Sequence, residues 1–186
     1  MLRVKDGKID LEKSKAVSYG YGDIWLNMKG REPKGILQQG KEYEETRENI
    51  IQILENLKID EERPIKKVKK REDIYWGPRI HEAPDLMVFF NPGWQAARHP
   101  EIKITERLDE RYIIEKPRWS GGHDGTHDPT DVPGILIFHG EEIRCVRGAR
   151  AHLQDLAPTI LKIMGIPVPT DMDGKPLSIV SIRDLS

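Results

Sequence analysis

Cysteine is almost missing from this 186-residue chain, and long apolar runs are missing altogether. The single cysteine, Cys145, excludes an internal disulfide and points to a reducing compartment. No stretch approaches the roughly 18–20 apolar residues of a membrane span. The first residues also lack the apolar core of a signal peptide. We therefore expect a cytoplasmic protein that makes no use of a membrane.

An excess of charge of either sign is missing too. The 30 Lys and Arg residues nearly balance the 31 Asp and Glu residues, which leaves a formal net charge of -1. No overall field draws such a chain to a nucleic acid polymer or an anionic membrane. The one strong basic run, residues 66–71, is typical of the solvated face of an edge strand or loop, with a phosphate-binding patch as the alternative. The abundance of Lys and Glu would suit a thermophile.

Apolar patterning predicts a mixture of helices and strands. In residues 41–57, apolar side chains recur at three- and four-residue spacing, which indicates a helix packed on one side. A second helix is predicted at 156–164, with Asp155 as its N-cap and Gly165 at its end. Strands are predicted at 16–19, 24–27, 85–90 and 134–138, the last two as buried strands. We expect one domain, residues 1–186, of the α/β or α+β class.

One short segment carries groups suited to metal chemistry. Two histidines and two aspartates fall within six residues, namely His123, Asp124, His127 and Asp128. Neutral imidazole and carboxylate together suit zinc, manganese or iron. The alternative is ordinary turn chemistry, because Asp124-Gly125 and Asp128-Pro129 are common turn dipeptides.

Five blocks of sequence follow one another in a recognisable order. They are IWLNMKGREPKGI at 24–36, EAPDL at 82–86, WSGGH…DP…VPG at 119–134, DLAPTIL at 155–161 and PTDMDG at 169–174. Together they resemble the type I phosphodiesterase/nucleotide pyrophosphatase branch of the alkaline phosphatase superfamily. The resemblance extends over about residues 16–177.

The resemblance implies the C-terminal half of an alkaline-phosphatase-like fold, a mixed sheet flanked by helices. It also implies a divalent metal, zinc or alternatively manganese. The family's final metal ligand is a histidine shortly before the strand that would begin at Gly134. His123 matches the W-S-G-x-H pattern directly and is favoured, whereas His127 lies nearer the strand.

The other ligands and the Ser or Thr nucleophile of the family lie upstream of the region that matches this chain. We therefore expect no catalytic residue here and a partner N-terminal half on a separate chain. The loop at 29–33 offers Lys29 and Arg31 as contacts for substrate phosphate. Alternatively, these two residues pair with Glu32 and brace the loop.

Three functional hypotheses follow. The leading one is a half-enzyme for phosphoester hydrolysis that needs its partner half. The second is a non-catalytic docking or homo-oligomerisation module, because removing half of such a fold should expose apolar strand edges. The third is an independent metallohydrolase that uses only the cluster from His123 to Asp128.

Overall fold

The computed structural model of the chain describes residues 4–5, 8–96, 126–128, 130–140, 143 and 148–179. Internal contacts divide the chain into two compact units, Met1–Pro133 and Gly134–Ser186. The single domain expected from the sequence stays a prediction. Within the described ranges, no helix is both long and apolar enough to cross a membrane.

The first unit is built on a four-stranded sheet. A separate two-stranded hairpin precedes it, formed by β1 (Val4–Lys5) and β2 (Lys8–Ile9). The sheet strands are β3 (Ala16–Val17), β4 (Asp23–Leu26), β5 (Ile65–Lys70) and β6 (Leu86–Phe90). They lie in the order β3-β4-β6-β5, and each neighbouring pair is antiparallel. The strands predicted at 16–19, 24–27 and 85–90 are confirmed, and the basic run is confirmed as an edge strand.

Helix α1 (Lys41–Glu55) packs against this sheet. Its apolar stripe, with Ile50, Ile51 and Leu54, contacts the buried cluster of β5 and β6. The buried members of that cluster are Ile65, Val68, Leu86 and Val88. Helix on sheet confirms the α/β or α+β class, and the architecture is compatible with part of an alkaline-phosphatase-like fold.

Residues 27–37 form a tightly held loop after β4. The side-chain amide of Asn27 donates to the carbonyl oxygens of Leu11, Ser14 and Lys34 at 2.6, 3.0 and 3.0 Å. A Cβ at Gly35 would come within 1.9 Å of the Met28 carbonyl oxygen, so only glycine fits there. Asn27 and Gly35 of the first sequence block therefore have a structural explanation.

The second unit contains helix α2 (Leu156–Ile163), which follows a 3-10 turn at Leu153–Asp155. Gly165 ends it with a left-handed φ of 70°, as expected. Asp155 stands at the N-cap position, but its carboxylate does not bond the first amides of α2. It accepts instead from the backbone N–H of His152 at 2.9 Å and of Lys175 at 3.0 Å.

The buried strand predicted at residues 134–138 is wrong. This segment has no regular secondary structure, and Ile135 and Ile137 are 90% and 83% exposed. A strand needs a neighbour for its backbone hydrogen bonds. In the part of the chain that the structure describes, no strand pairs with this segment.

Candidate functional site

The metal-type segment meets the sheet at the end of β6. The backbone N–H of Phe90 donates to the carbonyl oxygen of Thr126 at 2.8 Å. Phe90 also forms a parallel bridge with His127. Thr126 is almost completely buried. Residues 126–128, which we call the His127 segment, are therefore anchored to the sheet.

A glycine in the β3–β4 turn makes room for this anchoring. Gly22 has a φ of +74°, and a Cβ there would lie 2.7 Å from the carbonyl oxygen of Val88 and 2.9 Å from Cγ2 of Thr126. Real Cβ atoms essentially never come that close to a neighbour. The turn and the His127 segment consequently touch at a point where only a glycine fits.

The His127 ring is oriented by a backbone carbonyl. Its Nε2 lies 3.1 Å from the carbonyl oxygen of Trp94. Since a carbonyl can only accept, Nε2 carries the hydrogen, and in the neutral ring the lone pair is then on Nδ1. Histidines that bind metals commonly donate their other ring N–H to a carbonyl or carboxylate in this way.

Asp128 is engaged by neighbouring side chains. Its carboxylate accepts from the ammonium of Lys67 through Oδ2, and from the backbone N–H and hydroxyl of Thr130 through Oδ1, at 3.0 and 2.7 Å. The Lys67 hydrogen bond, followed by those from Thr130, lowers the pKa of Asp128 well below its ordinary value. This carboxylate serves as an anchor of the segment, which fits the turn alternative at this position.

The other half of the predicted cluster, His123 and Asp124, lies outside the described residues. Among the residues that the structure does describe, no group of three or more His, Cys, Asp or Glu side chains could hold a metal ion. His123 and His127 both remain predictions as metal ligands.

Arg31, whose side chain is partly exposed, pairs with the buried Asp85 at the other end of β6. Its Nη1 and Nη2 donate to the two carboxylate oxygens of Asp85 at 2.9 and 2.6 Å. Nη2 also donates to the carbonyl oxygen of Leu26 at 2.6 Å, and Nε donates to Glu32 at 2.8 Å. The Asp85 hydrogen bond raises the pKa of Arg31, so its charge is permanent. Loop bracing, the alternative role for Arg31, is thus visible, and substrate contact stays a prediction.

Lys29 differs from Arg31 in its surroundings. Its side chain is exposed. Within the described part of the chain, no hydrogen bond or ion pair is seen for its ammonium group, and Glu42 is within electrostatic range. The backbone of the same loop turns at Gly30 with a φ of +81°. Of the two predicted phosphate contacts, Lys29 is therefore the one whose charge has no short-range partner among the described residues.

The two predicted groups of site residues are far apart. Asp85, which holds Arg31, immediately precedes β6, whereas Phe90, which holds the His127 segment, ends it. At about 3.3 Å per residue, Asp85 and Phe90 are separated by roughly 17 Å. Arg31 and His127 would therefore contact a common substrate only if that substrate is long.

Sequence reasoning missed the centre of the buried network, Asp85. It is fully buried and also accepts from the hydroxyl of Tyr43 at 2.8 Å and from the N–H of Leu26 at 2.7 Å. Arg71 approaches it at 3.3 Å. The available signal was an acidic residue at the start of a predicted buried strand, because a buried carboxylate requires partners.

The chain is similar to known proteins over only part of its length. A 51-residue segment, 27% of this chain, is 47% identical to the 2,3-bisphosphoglycerate-independent phosphoglycerate mutase of Aeromonas salmonicida. Segments of 52 residues are 46% and 44% identical to the enzymes of the same name from Salmonella typhimurium and Escherichia coli. The matched segment spans only about 10% of these curated relatives. No protein-family model and no solved structure matches the chain.

These mutases are members of the alkaline phosphatase superfamily. The match therefore supports a similarity of this chain to that superfamily of metal-dependent phosphoester enzymes. The phosphodiesterase branch in particular is not supported by it.

Proposed function

We propose that this chain supplies a histidine ligand and part of the substrate surface of a divalent-metal enzyme acting on phosphoesters. The observation that carries the proposal is the His127 ring. Its Nε2–H is held by the Trp94 carbonyl, and its segment is fixed to β6 through Phe90. An imidazole oriented in this way suits zinc or manganese as a ligand through Nδ1.

A divalent metal at this position would polarise a phosphoryl oxygen and help to activate the attacking group. The chain's own contribution is one oriented imidazole. Three or more ligands must converge in such a site. We propose that His123, four residues earlier in the sequence, is a second candidate ligand, and that the remaining ligands and the nucleophile come from a companion N-terminal half.

The finer assignment, a phosphodiesterase or nucleotide pyrophosphatase, is supported by the five sequence blocks and their order. Under this assignment, Lys29 contacts a part of the substrate remote from the scissile phosphate. Its position in the loop that Arg31 braces supports the idea, because the loop's backbone is held rigidly. A separation of roughly 17 Å between Asp85 and Phe90 would match an extended diester rather than a small monoester.

An exposed apolar surface supports the proposal of a companion half. Ile135, Leu136 and Ile137 are consecutive and all exposed. Soluble proteins rarely leave such patches uncovered. We propose that this segment becomes a sheet strand when the companion half binds.

Metal binding can be tested without a complete site. Mn²⁺ added to the labelled chain should broaden the NMR signals of the His127 ring more strongly than those of any distant histidine. His127→Ala should abolish the effect in its segment, and His81→Ala, an exposed control, should leave it unchanged. Broadening that survives His127→Ala and disappears in His123→Ala would assign the ligand to His123. Survival in both variants would refute the metal site.

Activity requires a second assay. The chain, with zinc or manganese, is incubated with a chromogenic phosphodiester, alone and with a companion chain carrying the nucleophile and other ligands. We expect hydrolysis only in the mixture and its loss in His127→Ala. Hydrolysis by the chain alone would contradict the half-site and favour the independent metallohydrolase.

The same exposed segment favours a second candidate function, a docking or oligomerisation module. In that case the chain would form a stable homo-oligomer through residues 135–137, and neither the single chain nor the mixture would hydrolyse the diester. Light scattering after size-exclusion chromatography distinguishes the two, because Ile137→Asp should then convert the oligomer to monomers.

A further inference from the structure

The basic edge strand β5 carries two consecutive lysines that both reach the loop following His127. Lys66 Nζ lies 2.6 Å from Oδ2 of Asp131 and 3.9 Å from Oδ2 of Asp128. Lys67 donates to the same oxygen of Asp128. These four side chains form one cluster, which we call the latch.

Consecutive residues of a regular strand point to opposite faces. The ladder between β5 and β6 explains why Lys66 and Lys67 reach the same loop. Ile65 pairs with Phe90 and Lys67 pairs with Phe89, so the register shifts at Lys66. Such a bulge re-aims side chains and is frequent at sheet edges and beside active sites.

The latch is partly sheltered from solvent. The carboxylate side chains of Asp128 and Asp131 are 14% and 23% exposed, and both lysine side chains are 32% exposed. The stem of Lys67 also brings its ammonium within 5.1 Å of the Phe89 ring centre. Solvent screening of this cluster is therefore weaker than for most surface pairs.

The rest of β5 shows that this arrangement is particular to the first two lysines. Lys70, on the same strand, pairs with Glu44 and Glu48 of α1. Its charge therefore stabilises the helix–sheet contact. The basic run contains two sets of cations with different tasks.

We propose that the bulged Lys66–Lys67 pair and its partners Asp128 and Asp131 form an ionic latch that positions His127. Resting on the proposed function, this assigns Lys67 as a positioning residue for metal binding. One side of the His127 segment is fixed by the Phe90–Thr126 hydrogen bond, and the latch fixes the other. With both sides held, the imidazole keeps the orientation that the Trp94 carbonyl selects.

The first test is the hydrogen exchange of a single amide. The Phe90 N–H donates to Thr126, whereas the Val88 N–H of the same strand donates to Gly22. In Lys67→Met, exchange at Phe90 should become several-fold faster, while exchange at Val88 stays as in the wild type. Lys70→Met is the matched control and should leave both amides unchanged. Equal rates at Phe90 in Lys67→Met and the wild type would overturn the latch.

The second test is specificity of the charge pair. Asp128→Asn keeps the turn contacts with Thr130 but removes the charge, and it should reproduce the effect of Lys67→Met. Lys67→Arg keeps the positive charge at this position and should keep Phe90 protection near the wild-type level. A loss of protection in Lys67→Arg as large as in Lys67→Met would point to packing of the lysine side chain and would overturn the ionic description.

The third test separates the latch from the proposed function. The metal affinity of Lys67→Met, measured by the Mn²⁺ broadening of the His127 segment, should fall about tenfold, the usual loss when a supporting group is removed. Loss of affinity in His127→Ala but not in Lys67→Met would overturn the positioning role. Unchanged binding in His127→Ala would refute His127 as a metal ligand, and the Phe90 exchange rate would then decide the latch by itself.

Discussion

Asp85 holds together four parts of the first unit, and its removal should be costly. The carboxylate joins the loop after β4 through Arg31, helix α1 through Tyr43, β4 through the Leu26 amide and the end of β5 through Arg71. Asp85→Asn keeps the size of the side chain but replaces one acceptor oxygen with an NH₂ group. At least one donor of the network would then face another donor.

The size of the effect can be worked from this network. Removing one partner of a buried ion pair typically costs about 3–5 kcal/mol, because the other charge is left without compensation. Asn retains one acceptor, so we expect about 3 kcal/mol of lost unfolding free energy. Against a total of roughly 5–15 kcal/mol, this is a large share. At about 4 °C per kcal/mol, the melting temperature should fall by about 12 °C.

The assay is thermal and urea unfolding followed by circular dichroism. Asp73→Asn serves as the control, because Asp73 is exposed and forms no side-chain hydrogen bond or ion pair with another described residue. A double variant, Asp85→Asn with Arg31→Met, should be less destabilised than the sum of the two single changes. If Asp85→Asn shifted the midpoint no more than Asp73→Asn, the network would contribute nothing and our reasoning would be refuted.

The pH dependence of this effect has a definite sign. Burial by itself would raise the pKa of Asp85, but the hydrogen bonds from Arg31, the Leu26 amide and Tyr43 outweigh it, and the pKa is lowered. A depressed pKa contributes stability above the unfolded value of about 3.9, and that stability is lost as the pH falls through the folded value. The gap between wild type and Asp85→Asn should be full at pH 6 and shrink below about pH 4.

Two smaller predictions concern the same unit. Gly22→Ala should destabilise the protein by more than about 2 kcal/mol and loosen Thr126, because the added Cβ would clash with Thr126 and Val88. Gly93 is the control, since it has a similar positive φ and nothing within 4 Å of an added Cβ. Gly93→Ala should therefore cost only the backbone strain of about 1 kcal/mol. Urea unfolding compares the two, and equal losses would contradict the steric explanation. Tyr43→Phe should lower the unfolding free energy by about 1–2 kcal/mol, less than Asp85→Asn, because the buried carboxylate keeps its other donors. A loss of unfolding free energy as large as that of Asp85→Asn would show that the Tyr43 hydroxyl dominates the network.

Local patterns predicted most of the first unit correctly because its elements find their partners nearby. Helix α1 was predicted at 41–57 from its apolar stripe and is observed at Lys41–Glu55. Arg47 of this helix is also buried, and it pairs with Glu44 and Glu72 at 2.6 and 2.7 Å. What the stripe could not show is which charges would meet the buried guanidinium, since Glu72 is 25 residues away in sequence.

The sequence blocks contain residues with special roles. For several of them, the structure shows a contact that holds two distant segments of the chain together. Arg31 of the first block binds Asp85 of the second. In the second unit, Thr159 of the fourth block accepts from the N–H of Leu177 at 2.9 Å, just after the fifth block. A Cβ at Gly174 would come within 2.0 Å of the Gln154 carbonyl oxygen. Such long-range pairs are invisible in one sequence, so a motif alone cannot separate a substrate contact from a brace.

The strand predicted at 134–138 was wrong for the same reason, because a single sequence does not show whether a strand has a partner. An apolar run bounded by Gly or Pro predicts burial only on the condition that a partner supplies the covering surface and the ladder of hydrogen bonds. Here the run is present and the partner is not among the described residues, so Ile135 and Ile137 face solvent. Leaving these side chains in water forgoes about 1.5–3 kcal/mol each. A companion that buries them would recover this free energy, so Ile137→Asp should weaken its binding.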